Sequence, residues 1–162
     1  VPRFEYILSR ILSFFDRDSG THNFQSEKAI ESITSGGFFG KGIGEGVLKN
    51  RVPEAHTDYI ISVISEEFGV VAIILILLLF LVFIYMVFKK INFEKSEKVK
   101  LALIGCISLI LMQATIHIGV NIRLFPTTGM TLPFLSYGGS SIVSISILSG
   151  IILNLTKRKI NY

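Results

Sequence analysis

The stretch GVVAIILILLLFLVFIYMVF, Gly69 to Phe88, decides the fold. Its twenty residues carry no charge, and at about 1.5 Å rise per residue they span about 30 Å, the hydrocarbon thickness of a bilayer. Two further runs, Leu101 to Val120 and Tyr137 to Leu155, also lack Lys, Arg, Asp and Glu. Three such runs in 162 residues, half of them hydrophobic, predict an all-α polytopic membrane protein with spans near 69–88, 101–120 and 137–155. Three buried helices of a soluble fold are the weaker alternative. The single Cys106 lies inside a span and reads as a packing residue.

Working outward from the spans, charge sets the topology. Residues 1–68 balance at −3 and the remainder at +7. The basic excess sits in the loop 89–100, with five lysines in twelve residues, and in the tail 156–162 with Lys157, Arg158 and Lys159. This is a topology signal and gives no reason to expect a nucleic-acid partner. By the positive-inside rule both segments face the cytoplasm, so residues 1–68 and 121–139 face outward. Arg3, Arg10 and Arg17 pull weakly the other way, from a long region where loop charge has less hold on orientation. The start, Val1-Pro2-Arg3-Phe4-Glu5, has no Met, no basic n-region and no cleavage site, so the chain is expected to begin inside a longer protein.

The outward region is expected to hold short interfacial helices. Phe4, Ile7, Leu8, Ile11, Leu12 and Phe15 recur at helical spacing. Asp16 to Asn23 reads as a turn, and Phe24 to Ser35 as a second helix with Asn23 as N-cap and Gly36-Gly37 as its stop. Six glycines follow in the eleven residues Gly36 to Gly46. A phosphate loop would need Ser or Thr after Lys41, and Gly42 stands there; a dinucleotide loop would need Gly at 45 or 47, which are Glu45 and Val47. A backbone-led loop packed near the membrane surface is the better reading, with Lys41 facing an anionic headgroup.

The chemistry concentrates in Pro53-Glu54-Ala55-His56-Thr57-Asp58, just outside the first span. Asp58 has two readings: a cap for the helix that opens at Thr57 or Asp58, which spacing alone favours, or a general base facing a water-filled cleft. Glu54, His56 and Asp58 lie within five residues, and a divalent cation such as magnesium or manganese would suit one of these carboxylates together with substrate phosphates better than a three-ligand protein cage. The second outward segment, Asn121 to Ser141, breaks the apolar pattern with two prolines and a run of hydroxyls, and reads as a rim element lining a cleft. Gln113, Thr115, His117 and Asn121 are polar within or beside a span and are expected to face other helices or a cavity.

Two long motifs, PEAHTDYIISVISEEFG (Pro53 to Gly69) and FPTTGMTLPFLSYGGSS (Phe125 to Ser141), together with Ser35-Gly36-Gly37 and Gly40-Lys41-Gly42-Ile43-Gly44, resemble the SEDS family of FtsW, RodA and SpoVE cell-wall polymerases. Ala55 and Thr131 resemble the FtsW and SpoVE branch more than RodA. The resemblance runs from about Arg3 to the last span. It implies a protein of about ten helices, of which this chain holds the last three and the large outer loop before them. It further implies a peptidoglycan glycosyltransferase of septal cell-wall synthesis in the bacterial cytoplasmic membrane, polymerising lipid II with Asp58 as catalytic base. Substrate contacts are implied at Glu54, His56, Lys41, Arg123, Ser136, Tyr137, Gly138, Gly139 and Ser140. The implied partners are a class B penicillin-binding transpeptidase and other divisome proteins; this chain alone is expected to be inactive. Many division-type members have Lys where this chain has Thr128; if that Lys holds pyrophosphate, either Lys41, Arg51 or Arg123 substitutes for it or the site is weaker. The rival readings are a lipid II flippase, using a polar cavity at Gln113, His117 and Asn121, and a non-enzymatic divisome scaffold.

Overall fold

The computed structural model describes Leu8, residues 21–52 and residues 55–157. Among the described residues five helices follow one another: α1 Thr21–Gly36, α2 Leu48–Arg51, α3 Ile60–Phe93, α4 Glu97–Asn121 and α5 Gly139–Thr156. Of the expected helix around Phe4 to Phe15 only Leu8 is described, and it is helical; the rest of it and the residues Pro53 and Glu54 lie outside the described set. α3, α4 and α5 are each long and apolar enough to cross a bilayer. Only 6% of the most apolar stretch of α3 is buried within the chain, against 28% for α4. A soluble core helix would have to hide such a surface, so the apolar face of α3 is suited to hydrocarbon and the soluble alternative fails.

α4 is the central rod. Leu103, Ile107 and Ile110 bury against Val87 and Ile91 of α3 and Ile145 and Ile152 of α5, forming one apolar cluster far from the Asp58 turn. A second cluster, Ala29, Leu48, Val52, Ala55, Tyr59, Val63 and Val120, fastens α1 and α2 to the opposite end of the bundle. α1 buries the small residues Ser26, Ala29 and Ser32, which let it lie close against α3.

The helices differ from the expected bounds at several ends. α3 runs on through Lys89 and Lys90, and α4 starts at Glu97, so only residues 94–96 remain of the loop placed at 89–100. Lys and Glu are good helix formers, and their heads reach water past the hydrocarbon edge while the backbone stays helical. α5 begins at Gly139 rather than Tyr137, with Gly138 at its N-cap. α1 begins at Thr21, so residues 21–23 are helical instead of forming the end of a turn, and Asn23 is not a cap. Residues 21–23 hold no proline or glycine, and Gly20 directly precedes them.

The least expected feature is a break in α3. Gly69 sits at φ 78° and ψ −175°, a backbone region essentially reserved for glycine, dividing a nine-residue piece, 60–68, from the membrane rod. A break leaves carbonyls on one side and amides on the other without helical partners. The glycine-rich loop supplies them. Lys41 and Gly42 donate their N–H groups to the carbonyls of Glu66 (2.8 Å) and Glu67 (3.1 Å), while Val70 and Val71 donate to those of Gly37 (3.0 Å) and Phe38 (3.4 Å). Contact this close excludes side chains: a Cβ on Gly40 would stand 2.2 Å from the Glu67 carbonyl oxygen. Lys41 locks the joint with an ion pair, Nζ to Glu66 Oε1 at 2.9 Å, and Glu66 Oε2 accepts the Leu48 N–H at 3.0 Å. Two amides of the loop are thus committed to helix carbonyls and do not converge on an anion, consistent with rejecting a phosphate loop.

Candidate functional site

The turn Ala55 to Tyr59 joins α2 to the short first piece of α3. Ala55 and Tyr59 are its buried feet, set into the cluster with Leu48, Val52 and Val63. Between them, three successive carbonyls are gripped from other parts of the chain. The His56 carbonyl accepts the Tyr137 N–H at 3.2 Å. The Thr57 carbonyl accepts Ser136 Oγ–H at 2.8 Å and lies 3.3 Å from His117 Nε2. The Asp58 carbonyl accepts Asn121 Nδ2–H at 2.9 Å.

The gripping side chains are themselves held. His117 and Asn121 stand four residues apart on α4, on one helix face, and both are fully buried. Asn121 Oδ1 accepts both the N–H (3.2 Å) and the Oγ–H (2.8 Å) of Ser62, and its Nδ2 also donates to the His117 carbonyl at 2.9 Å. With its proton on Nε2 the imidazole would donate to Thr57 at 3.3 Å, and its Nδ1 lies 3.4 Å from Asn121 Nδ2. Ser136 Oγ accepts the Leu132 N–H at 2.8 Å while donating to Thr57. One turn further along α4, Gln113 Nε2 donates to the Thr131 carbonyl (2.9 Å) and to Ser141 Oγ (3.0 Å), tying the second segment to the start of α5.

The two motifs meet at the Asp58 side chain. It is half-buried, and a Cβ on Gly129 would stand 3.8 Å from Asp58 Oδ2, so the backbone of the second segment comes up to the carboxylate. The N-cap of α3 falls on Tyr59, one residue beyond Asp58, and Tyr59 makes no side-chain capping bond. Asp58 sits in the gripped turn directly before the helix. A carboxylate held this way, partly open and with its backbone immobilised, can accept a proton from a group brought to the rim.

Of the expected substrate residues, His56, Ser136 and Tyr137 gather at the Asp58 turn. The His56 side chain is exposed, and Tyr137 is 79% exposed. Ser136 is buried with its hydroxyl bonded on both sides, which makes it a strut of the turn. Gly138 and Gly139 form the N-terminus of α5, and Ser140 beside them is exposed, with its carbonyl accepting Ser144 Oγ–H at 3.0 Å. Lys41 and Arg123 have other partners: Lys41 pairs with buried Glu66 at the helix break, and Arg123 reaches Glu27 of α1 at 3.6 Å. Glu54 lies outside the described residues. Sequence reading placed His117 and Asn121 against other helices or a polar cavity and did not connect them to the Asp58 turn; their spacing of four marks a shared face, and the structure supplies the turn they hold.

Asn121→Ala strands the Ser62 donors and the Asp58 carbonyl together. Leaving such buried groups unpaired costs about 3 kcal/mol, and the expected result is a lower thermal unfolding midpoint in lipid nanodiscs. An unchanged midpoint would mean the clamp does not hold the turn.

A model of the cell cycle protein family FtsW/RodA/SpoVE matches residues 3–161. A probable peptidoglycan glycosyltransferase FtsW of Caulobacter vibrioides is 39% identical over 160 residues, covering 96% of this chain and 40% of that protein. A protein of the same description from Enterococcus hirae is 36% identical over 156 residues, covering 90% of this chain and 39% of its own length. A solved chain, from work on the structural coordination of polymerization and crosslinking by a peptidoglycan synthase complex, superposes with a TM-score of 0.70 at 28% identity, over 91% of this chain and 40% of that one. The chain thus spans about two fifths of the length of the relatives it matches.

Proposed function

The chain belongs to the FtsW/RodA/SpoVE family of cell cycle proteins, and from that premise we propose that it is the C-terminal part of a division-type peptidoglycan glycosyltransferase that polymerises lipid II. The observation that carries the reading is the Asp58 carboxylate, presented by a turn gripped at three carbonyls and faced by the second rim segment. In the proposed reaction the 4-hydroxyl of one disaccharide attacks the anomeric carbon of the growing strand. Asp58 takes the hydroxyl proton as the new C–O bond forms, and the bond to the pyrophosphate oxygen breaks with its electron pair leaving on undecaprenyl pyrophosphate. His56, Tyr137, Gly138, Gly139 and Ser140 border the turn and would line the approach of the sugar.

Orientation follows from charge. Lys89, Lys90, Lys95, Lys98 and Lys100 gather where α3 meets α4, and Lys157 follows α5 at the same end, so we place that end in the cytoplasm and the Asp58 turn outside. A class B penicillin-binding transpeptidase and further divisome proteins are the proposed partners; the similarity to a chain of a peptidoglycan synthase complex supports this. Among the described residues no three His, Cys, Asp or Glu side chains come together as a metal cage. Asp58 would be the residue to hold a magnesium or manganese ion, which would neutralise charge on the substrate's phosphates. The flippase reading loses its specific support, since Gln113, His117 and Asn121 all bond to protein groups.

The test is lipid II polymerisation by the full-length protein with its transpeptidase partner, read as glycan strands on a gel. Long strands are expected. A folded, intact complex that makes none would overturn the proposal in favour of transport or scaffolding.

A further inference from the structure

Phe38 and Phe39, at the tip of the glycine-rich loop, are 75% and 86% exposed. Flexible loops that carry large apolar side chains ordinarily fold them inward, and this loop cannot. Gly36 accepts the Gly40 N–H at 2.8 Å, closing the loop behind the two rings. The bonds to Glu66, Glu67, Val70 and Val71 and the Lys41–Glu66 ion pair then fix it to α3 on both sides of the break.

Those same bonds set the height of the rings. Gly37 and Phe38 accept from Val70 and Val71, the first residues after Gly69 in the uncharged run, so the tip lies level with the place where α3 enters the membrane. At the other end of α3, Phe93 is 76% exposed beside Lys89 and Lys90. From Val71 to Phe93 at about 1.5 Å per residue is about 33 Å, close to the roughly 30 Å hydrocarbon thickness. Phe38 and Phe39 at one end and Phe93 at the other are therefore about one hydrocarbon thickness apart. Val70, Val71 and Ile74 next to the loop are exposed as well, so the rings continue the lipid-facing surface of the span. The tip between Gly36 and Gly40 has no charge, and that of Lys41 beside it is matched by Glu66.

We propose that the glycine-rich loop is a membrane-interface anchor, seating Phe38 and Phe39 among the lipid headgroups and upper acyl chains. The anchor fixes the height of the break in α3, and with it the short helix that carries the Asp58 turn, relative to the bilayer. It rests on the spans and the loop geometry, and is independent of the reaction proposed above.

The chain contains no Trp, so a ring exchange supplies a reporter. Phe39→Trp in the full-length protein, in lipid nanodiscs, is read as the emission difference from the unsubstituted protein. Phe38→Trp gives a second, equally conservative reading if the first variant accumulates poorly. The expected result is blue-shifted difference emission that loses most of its intensity in nanodiscs of acyl-brominated phosphatidylcholine and resists aqueous acrylamide. Quenching by acrylamide and not by brominated lipid would put the rings in water and overturn the anchor. Quenching by neither would bury them against protein and overturn it equally.

Discussion

Asp58→Asn is expected to leave a folded protein that makes no glycan strands. The grip on the turn runs through main-chain carbonyls, those of His56, Thr57 and Asp58, and an amide at position 58 disturbs none of them. What the substitution removes is a group able to accept a proton. General-base assistance contributes about 10²- to 10⁴-fold, and losing it from a reaction with a poorly nucleophilic sugar hydroxyl takes strand synthesis below detection on a gel. Thermal unfolding in nanodiscs should be little changed. Strands at near the unsubstituted rate would remove Asp58 from the chemistry, and a collapsed midpoint would make its role structural.

Gly69→Ala is expected to be the most damaging single change to the fold. The new Cβ would stand 2.2 Å from the Phe38 carbonyl oxygen and 2.5 Å from the Gly40 nitrogen, both backbone atoms with no side-chain freedom to yield. The φ of 78° adds strain of about 1–3 kcal/mol for any residue with a Cβ. Relief requires either straightening the helix or expelling the loop, and both break the four backbone bonds across the joint. A cost above about 4 kcal/mol, in the exceptional class for point substitutions, follows. The check is the yield and unfolding midpoint of the variant beside Gly105→Ala and Gly150→Ala. Those two glycines lie in helices with nothing within 4 Å of an added Cβ, and alanine there should stabilise by up to about 1 kcal/mol. Equal behaviour of all three variants would mean the break is not obligatory.

The parts of the fold legible in sequence were those governed by local composition. Uncharged runs of bilayer length locate α3, α4 and α5, because the cost of placing charge in hydrocarbon is paid residue by residue. Helix ends were misplaced wherever charged helix formers let the backbone continue, as at Lys89 and Glu97. The break at Gly69 was out of reach for a different reason. A lone glycine at the mouth of an apolar run looks like a boundary, and only the loop thirty residues earlier in the chain turns it into a fracture. The same distinction divides the site. Asp58 stood out by motif and position, but its immediate partners, His117, Asn121 and Ser136, come from about sixty to eighty residues away. Lys41 and Arg123 likewise pair with carboxylates, Glu66 and Glu27, that lie far from them in the chain and that no local pattern announces.

The joint between the loop and the broken helix also constrains how the gene can vary in length. Residues 37–42 and 66–71 meet backbone to backbone, with each donor matched to one acceptor and no side chain between them to absorb a slip. A one-residue insertion or deletion in either segment would misalign all four pairings at once. The segment between them is tied to the joint more lightly, by the Glu45 N–H on the Gly42 carbonyl at 3.2 Å and the Leu48 N–H on Glu66 Oε2 at 3.0 Å. The two short segments are therefore expected to change length only together. A chimera that takes its loop from one relative and its helix from another should tolerate the exchange of residues such as Phe39 or Ile43 and fail on any shift of frame between Gly37 and Lys41.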